Sequence, residues 1–454
     1  MTATSKPKEA GTSWRSRRRS LNSMVDYAAF IFGAFAALWL AYLVLSEGLF
    51  SGWYMIPFLF LFWMVLAYLV LPRLHRILTK IYVPDYFIGR ARTSDGLLGD
   101  PINLAVVGSE AQLHEAMTRA GWIRADPVTL RSSWRIITST LLKQSYDEAP
   151  VSPLLLFGHP QDLAYQQEVA GNPAKRHHVR FWRCPDGWML PGGHRADWMA
   201  AGTFDRAVGF SIFTLQITHK IAPDTDRERD HIVRSIQEGG PDIEVRVIKD
   251  FSSGYHSRNG GGDTIVTDGD LPMVDVGHLT VPPDGNPLGP DTDARRAAQA
   301  NRRPIPTTLG VLLMALRLVV GIVTIGLMVK DWNTAVASTA SSLNTADQQT
   351  ISAVLMVVIG ISAIAFLIYG LLAVLILRGS NWARIATLAF SVGFVIQAGF
   401  TLLHGENISL SEDPLGLPLD ILVLLALSAR SSRLWARRPK DGSPKTEPSQ
   451  KRQP

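Results

Sequence analysis

The distribution of apolar residues constrains this chain more than any motif in it. A helix rising about 1.5 Å per residue needs about 20 apolar residues to cross about 30 Å of hydrocarbon, and six stretches approach that length. Residues 27–46 (YAAFIFGAFAALWLAYLVLS) and 53–71 (WYMIPFLFLFWMVLAYLVL) come first, joined by a short loop around Glu47 and Gly52. The first run is too long for the apolar part of a signal peptide and a second follows at once, so a transmembrane hairpin is predicted over 25–72. Runs at 308–329, 351–377, 382–403 and 415–429 predict a four-helix membrane region over 307–430. The last is short and contains Asp420, which keeps an interfacial or re-entrant helix open as its alternative. No such run lies between the two groups. Residues 82–280 therefore read as a water-soluble domain, returned to the membrane by a Pro-, Gly- and Asp-rich linker at 281–306.

Lys and Arg in short loops collect on the cytoplasmic side of a membrane. Here they precede the first run (Lys6, Lys8, Arg15, Arg17, Arg18, Arg19), follow the second (Arg73, Arg76, Lys80) and precede the third (Arg295, Arg296, Arg302, Arg303). They recur at Arg378 and Arg384 and after the sixth run at Arg430, Arg433, Arg437 and Arg438. Six spans with both termini and the central domain in the cytoplasm satisfy all of these flanks. The expected fold class is thus an α-helical transmembrane bundle of six helices with an inserted cytoplasmic α/β domain, bounded by basic disordered tails at 1–24 and 431–454. The formal charge of +6 belongs to those tails, because residues 82–280 hold twenty Lys and Arg against twenty-five Asp and Glu. The lipid bilayer is the implied partner, and nucleic acid is not. The single cysteine, Cys184, excludes an internal disulfide and a multi-thiolate metal site.

Within the domain, INLAVVG (102–108), PLLLFG (153–158), HHVRFW (177–182), MAAGTF (199–204), TLQITHKI (214–221) and IEVRVI (243–248) read as strands. Ser109 is placed to cap one helix, and a second is predicted from about Asp224 to Glu238. Linkers are too short for repeated crossover helices, which predicts a largely antiparallel sheet covered by helices. The ordered segments DPINLAVVG, AGWIRADPVTLRSS, APVSPLLLFGHPQDLAYQ, KRHHVRFW, GTFDRAVG, QITHKIAPDTDRERDH, RNGGGD and TDGD resemble the C-terminal domain of the LssY family over about residues 94–275. That family is named from a type I secretion component and has no settled reaction. The resemblance implies a bacterial inner-membrane protein and assigns no cofactor. DedA-like segments and a PAP2-type phosphatase, often joined to this domain, are not recognisable in the chain.

Alternation along HHVRFW sets His178, Arg180 and Trp182 on one face and His177, Val179 and Phe181 on the other. Arg180 beside His178 suits a phosphate or carboxylate clamp, and an ordinary ion-paired sheet face is equally compatible. On TLQITHKI the same period puts His219 with Leu215, Ile217 and Ile221, where a hydrogen-bonded core histidine is commoner than a ligand. It also lets His219 face His177 if the strands pair. A second His often stands in the family where this chain has Lys220, which weakens a metal reading, so no metal site is expected. The loop Arg258, Asn259, Gly260, Gly261, Gly262, Asp263 suggests an anion-binding nest or, more plainly, a turn. Asp205, in GTFDRAVG, completes the candidate set. Thr225 with Glu228 fits a capping box better than a calcium loop, and PGGH at 191–194 reads as a turn. In the membrane region Arg317 and Asp420 are expected to pair, with Gln397 nearby. The function expected is recognition or processing of a small anionic, phosphorylated or lipid-headgroup ligand. The alternative is a non-catalytic scaffold or export-associated subunit that binds protein partners.

Overall fold

The computed structural model describes residues 21–50, 52–82, 88–94, 96–125, 152–169, 172–240, 243–252, 258–282, 292–342, 347–404 and 415–438. Most of both tails, most of AGWIRADPVTLRSS and the start of the 281–306 linker lie outside them. The chain divides into two compact units, Ala34–Arg303 with Ser409–Glu412, and Met1–Gly33 with Pro304–Ile408 and Asp413–Pro454.

The first unit opens with the part of helix α1 (Leu21–Phe50) from Ala34 on, its first turns belonging to the second unit, and α2 (Met55–Tyr82) follows. Gly48 permits the approach, since a Cβ there would stand 2.6 Å from Phe58 Cβ. α2 changes to π geometry over Leu66–Val70, and Pro72 supplies the reason. Its ring would strike the carbonyl four residues back in a regular α-helix, and it has no N–H to donate. In the widened turn the Leu71 N–H reaches Leu66 O, and the next bond, from residue 72 to Ala67 O, has no donor.

The domain follows as a small four-stranded sheet laid over one face of an eight-stranded sheet. The small sheet runs β2 (Leu98–Pro101), β1 (Arg90–Thr93), β5 (Leu154–Leu156), β6 (His159–Pro160). The large one runs β13 (Glu244–Ile248), β14 (Leu271–Asp275), β3 (Leu104–Val107), β11 (Trp198–Phe210), β8 (Asn172–Arg183), β7 (Leu163–Val169), β4 (Ile123–Arg124). A further strand, β12 (Ile217–Ile221), pairs with the far half of β11, and β9 (Met189–Leu190) and β10 (His194–Arg195) form a separate ribbon after the turn at 191–193. Among these strands all pairings are antiparallel except β14 with β3. Helices α3 (Glu110–Arg119) and α4 (Thr225–Gly239) cover the second face of the large sheet.

Period-two alternation gives that sheet two dry faces. Leu104, Val106, Val179, Phe181, Trp198 and Ala200 meet Leu113, Met117, Ile232 and Ile236 of the helices. Ala105, Trp182, Met199, Ala201 and Met273 meet Ala91, Leu154 and Leu156 of the small sheet. Gly202 lets α4 lie close to β11, because a Cβ there would stand 2.2 Å from Ile232 Cδ1. Ser109 and Gln112 form the capping box of α3. At α4 the cap is instead Asp224, whose carboxylate accepts from Asp226 N and Arg227 N. The Thr225 and Glu228 box is not formed, because Glu228 turns toward His177. The expected tether also differs, since an Ala- and Arg-rich segment of it forms helix α5 (Thr292–Asn301), clasped by Arg296 to Asp162 at 2.7 Å and by Arg295 to Glu110.

The second unit contains α6 (Ile305–Lys330), α7 (Trp332–Ser342), α8 (Gln348–Leu377), α9 (Asn381–Leu403), α10 (Gly416–Leu427) and α11 (Arg430–Ala436). Among the described residues five helices are long and apolar enough to cross a membrane, namely α1, α2, α6, α8 and α9. The six-helix expectation is met only to that extent. α10 has 12 residues, about 18 Å of rise, and nearly all of them are buried.

Candidate functional site

The register of three strands gathers the predicted strand residues. Arg176, His178 and Arg180 of β8 project toward the small sheet, opposite Asp205, Thr203 and Ala201 of β11, and Gln166 of β7 lies beside His178. Asp100 enters from β2. Its Oδ2 accepts from Arg180 Nη1 at 2.5 Å and from Thr203 Oγ1 at 3.4 Å, and Thr203 Oγ1 lies 2.7 Å from His178 Nε2. Arg176 donates to Asp205 at 3.1 Å and to Gln166 at 3.2 Å. Arg90 bonds Gly99 O through two nitrogens and reaches Arg258 O. Every one of these side chains is buried.

Charges removed from water in this way survive only when each is paired. Burial pushes the Asp100 carboxyl up, but Arg180, His178 and Arg90 together overcome it and hold it at about 2. Burial likewise opposes ionisation of Asp205, and His178, His219 and Arg176 reverse it, leaving its pKa below the ordinary value. Burial lowers Arg90 to about 10 against the pull of Asp100. It also lowers His219, again against Asp205. The network is an ion lattice between two sheets. Arg180, expected as a ligand clamp, has Nε on Ser152 O and Nη1 on Asp100, and so joins layers instead of facing a groove.

His219 stands at the rim, its side chain 39% exposed and Nδ1 3.5 Å from Asp205 Oδ2. His178 Nδ1 approaches the same oxygen at 3.5 Å, and neither imidazole nitrogen makes a hydrogen bond there. His219 does not face His177. The register Arg176–Asp205–Ile221 aligns the parity of His219 with His178, a fact of cross-strand pairing that no single strand reveals. His177 lies on the opposite face, under α4, with Nδ1 2.6 Å from Glu228 Oε2 and its ring stacked on His231 at 4.3 Å.

The loop after β13 is a third location. Gly260 N donates to Leu98 O, Gly262 N to Asn259 O and Asp263 N to Asn259 Oδ1. The expected nest is therefore largely spent on closing the loop itself. Gly262 has φ +86°, and Gly261 O accepts from Ser211 Oγ. Asp263, buried, faces Ile221 N at 3.4 Å and Lys220 Nζ at 3.5 Å, and Arg258 Nη1 is bonded to Gly262 O at 2.9 Å.

Beside this loop opens a groove of about 410 Å³. It is lined by Arg258, Asn259, Gly260 and Gly262 of the loop, by Leu97, Leu98 and Phe213, and by His75, Leu78, Thr79 and Tyr82 of α2. Its surface is mainly apolar, with the exposed Arg258 at its edge. Among the described residues no group of three or more His, Cys, Asp and Glu side chains is placed to hold a metal ion. In the second unit, Arg317 Nε lies 3.4 Å from Asp420 Oδ2 and Arg317 Cζ lies over the Phe394 ring, 6.0 Å from its centroid, while Gln397 is exposed.

Residues 80–271 match the family model of the LssY C-terminus. The central segment carries an LssY C-terminal domain. No curated protein and no solved structure matches the chain. The matched span contains both the ion lattice and the loop wall of the groove. Several lattice members escaped single-strand reasoning. Arg90, Asp100, Arg176 and Thr203 become partners only through pairing of distant strands, although Asp100 sits in the DPINLAVVG segment that carries the resemblance. The helical wall of the groove is hidden in the sequence because α2 runs past residue 72, where the predicted hairpin ends, as far as Tyr82.

Proposed function

We propose that this chain is a multi-pass membrane protein, in the bacterial inner membrane, whose LssY C-terminal domain binds a membrane amphiphile at the groove between the Arg258–Gly262 loop and the end of α2. One observation carries the reading: the groove is lined mainly by apolar surface, includes the exposed Arg258 in its lining, and is bordered by a helix that is itself long and apolar enough to enter a bilayer. Acyl chain would lie against Leu78, Leu97 and Phe213, and an anionic headgroup would meet Arg258. A soluble phosphorylated metabolite fits less well, since two of the three glycine N–H groups are already bonded. The strongest candidates for chemistry, His178, Arg180 and Asp205, are buried in ion pairs, which favours binding over catalysis.

Topology supports the same placement. Asp26 receives Arg384 and Arg437, each at 2.5 Å, so the start of α1, the start of α9 and the segment after α11 share one end of their unit. The basic flanks assign that end, and the domain, to the cytoplasm. Leu427 O accepts from Arg384 at 3.1 Å, so α10 begins about 18 Å from that end and acts as a half-crossing rather than a sixth full span.

The test is lipid analysis of the full chain purified in mild detergent and read by native mass spectrometry. Filling the groove with Thr79→Phe is expected to strip the retained lipid. Arg258→Gln should shift its composition from anionic toward zwitterionic species. Unchanged retention and composition in both variants would refute the assignment.

A further inference from the structure

The turn between β11 and β12 presents Phe210, Ile212 and Phe213 as exposed side chains, Ile212 at 86%. The same turn is fastened to α2. The Trp63 indole donates to Leu215 O at 3.1 Å, and Gln216 Nε2 donates to Ala67 O at 2.7 Å. Ala67 O is the carbonyl that Pro72 cannot serve in the π register, so the side chain of Gln216 replaces a missing backbone donor. The ring of Phe213 stacks on His75, centroids 4.8 Å apart and planes 1° from parallel.

These anchors fix a depth. Trp63 and Ala67 both belong to the apolar run 53–71, and Arg73 is the first basic residue beyond it. At about 1.5 Å per residue, Ala67 lies about 9 Å and Trp63 about 15 Å to the apolar side of Arg73. Wherever α2 crosses a bilayer, a turn bonded at those positions has passed the charged edge of the helix and lies level with hydrocarbon.

We infer that the turn Ser211–Gln216 is seated in the cytoplasmic leaflet, its partner being lipid acyl chains. The inference rests on reading α2 as a membrane helix and extends it to a strand turn of the domain. Hydrocarbon demands that backbone polar groups find partners within the protein, and four of the turn's backbone groups, Ser211 N, Thr214 N, Leu215 O and Gln216 O, have them. Ser211 N donates to Gln216 O and Thr214 N to Ser211 Oγ, while Ser211 Oγ donates to Gly261 O. Leu215 O is covered by Trp63. A turn built to meet water has no need of such closure, and three large apolar side chains beside it would be a liability there.

Nitroxide labels on single introduced cysteines in the full chain, reconstituted alone in phosphatidylglycerol and phosphatidylethanolamine vesicles, test this by accessibility to oxygen against a water-soluble nickel chelate. Ile212→Cys reports the turn, Leu61→Cys the apolar run of α2, and Asp186→Cys an exposed loop. Each replaced side chain is at least partly exposed, and the parent chain shows whether buried Cys184 stays unlabelled. The oxygen-to-nickel ratio at 212 is expected to match that at 61 and to exceed that at 186. A lipid-like ratio at 61 with a water-like ratio at 212 overturns the inference, leaves the membrane helix standing, and points instead to a protein surface as the partner of the turn. A water-like ratio at 61 overturns both.

Discussion

Replacing Asp100 by Asn should destabilise the domain more than any surface substitution, and the size of the loss follows from the lattice. Asp100 Oδ2 is the acceptor for Arg180, and both side chains are buried. Removing one partner of such a pair leaves a buried charge uncompensated, at about 3–5 kcal/mol. A smaller figure comes from protonation. The carboxyl is held at about 2 in the folded chain against about 3.9 unfolded, a difference of about 2–3 kcal/mol. The two agree in sign, and protonation is the lesser because burial already opposes the carboxylate. Since the folded pKa is the depressed one, this contribution is complete above about pH 4 and is lost as pH falls toward 2. Urea unfolding of the detergent-solubilised chain, followed through the buried Trp182 and Trp198, measures both effects. Asp100→Asn is expected to lose several kcal/mol at neutral pH and to shed the acid step assigned to this group. Adding Arg180→Met should recover most of the loss, because an apolar pair of similar volume needs no compensation. A single-variant loss under about 0.5 kcal/mol, typical of exposed sites, would refute the lattice as a stabilising device, as would strict additivity in the double variant.

Gly202→Ala should cost about 1–3 kcal/mol by forcing Ile232 from β11, with Ile232→Ala in the same chain restoring part of it in the same unfolding assay. His219 is lowered by burial, so the unfolded chain takes its proton first. Its stabilising effect is full above about pH 6.5 and declines below, and His219→Gln should flatten the stability profile between pH 7 and 5. Arg317→Asp and Asp420→Arg should each impair accumulation of folded protein in membranes, and the exchanged pair should recover it. Equal or additive losses in the double variant would show that the 3.4 Å contact carries no coupling.

What the sequence made legible was whatever depends on one segment. Long apolar runs, the Ser109 cap, the alternation of β8 and the helix after Asp224 each need only local residues. What it hid depends on which segments meet. Arg180 reads as a ligand clamp until β2 delivers Asp100, and Gly260 reads as an open nest until Leu98 O accepts its N–H. Ala-rich α5 was masked by the Pro and Gly that precede it. The 415–429 run reads as a span by its composition, while the 12 residues of α10 fall short of a span's usual length.

The position of β3 has a consequence for how the domain is made. Its two neighbours, β11 and β14, both lie far downstream, and Met273 and Trp198 pair with Ala105 and Val106 across most of the domain. Such long-separation contacts form slowly because a large loop must close first. As the chain leaves the ribosome, α1 and α2 are complete while β3 still offers two bare edges, and the edge that takes β14 stays bare until nearly the whole domain has been synthesised. Unpaired apolar edges of that kind invite aggregation. Folding yield should therefore depend on chaperone supply during synthesis, and truncations ending before β14 should accumulate poorly even where every contact upstream of the cut is intact.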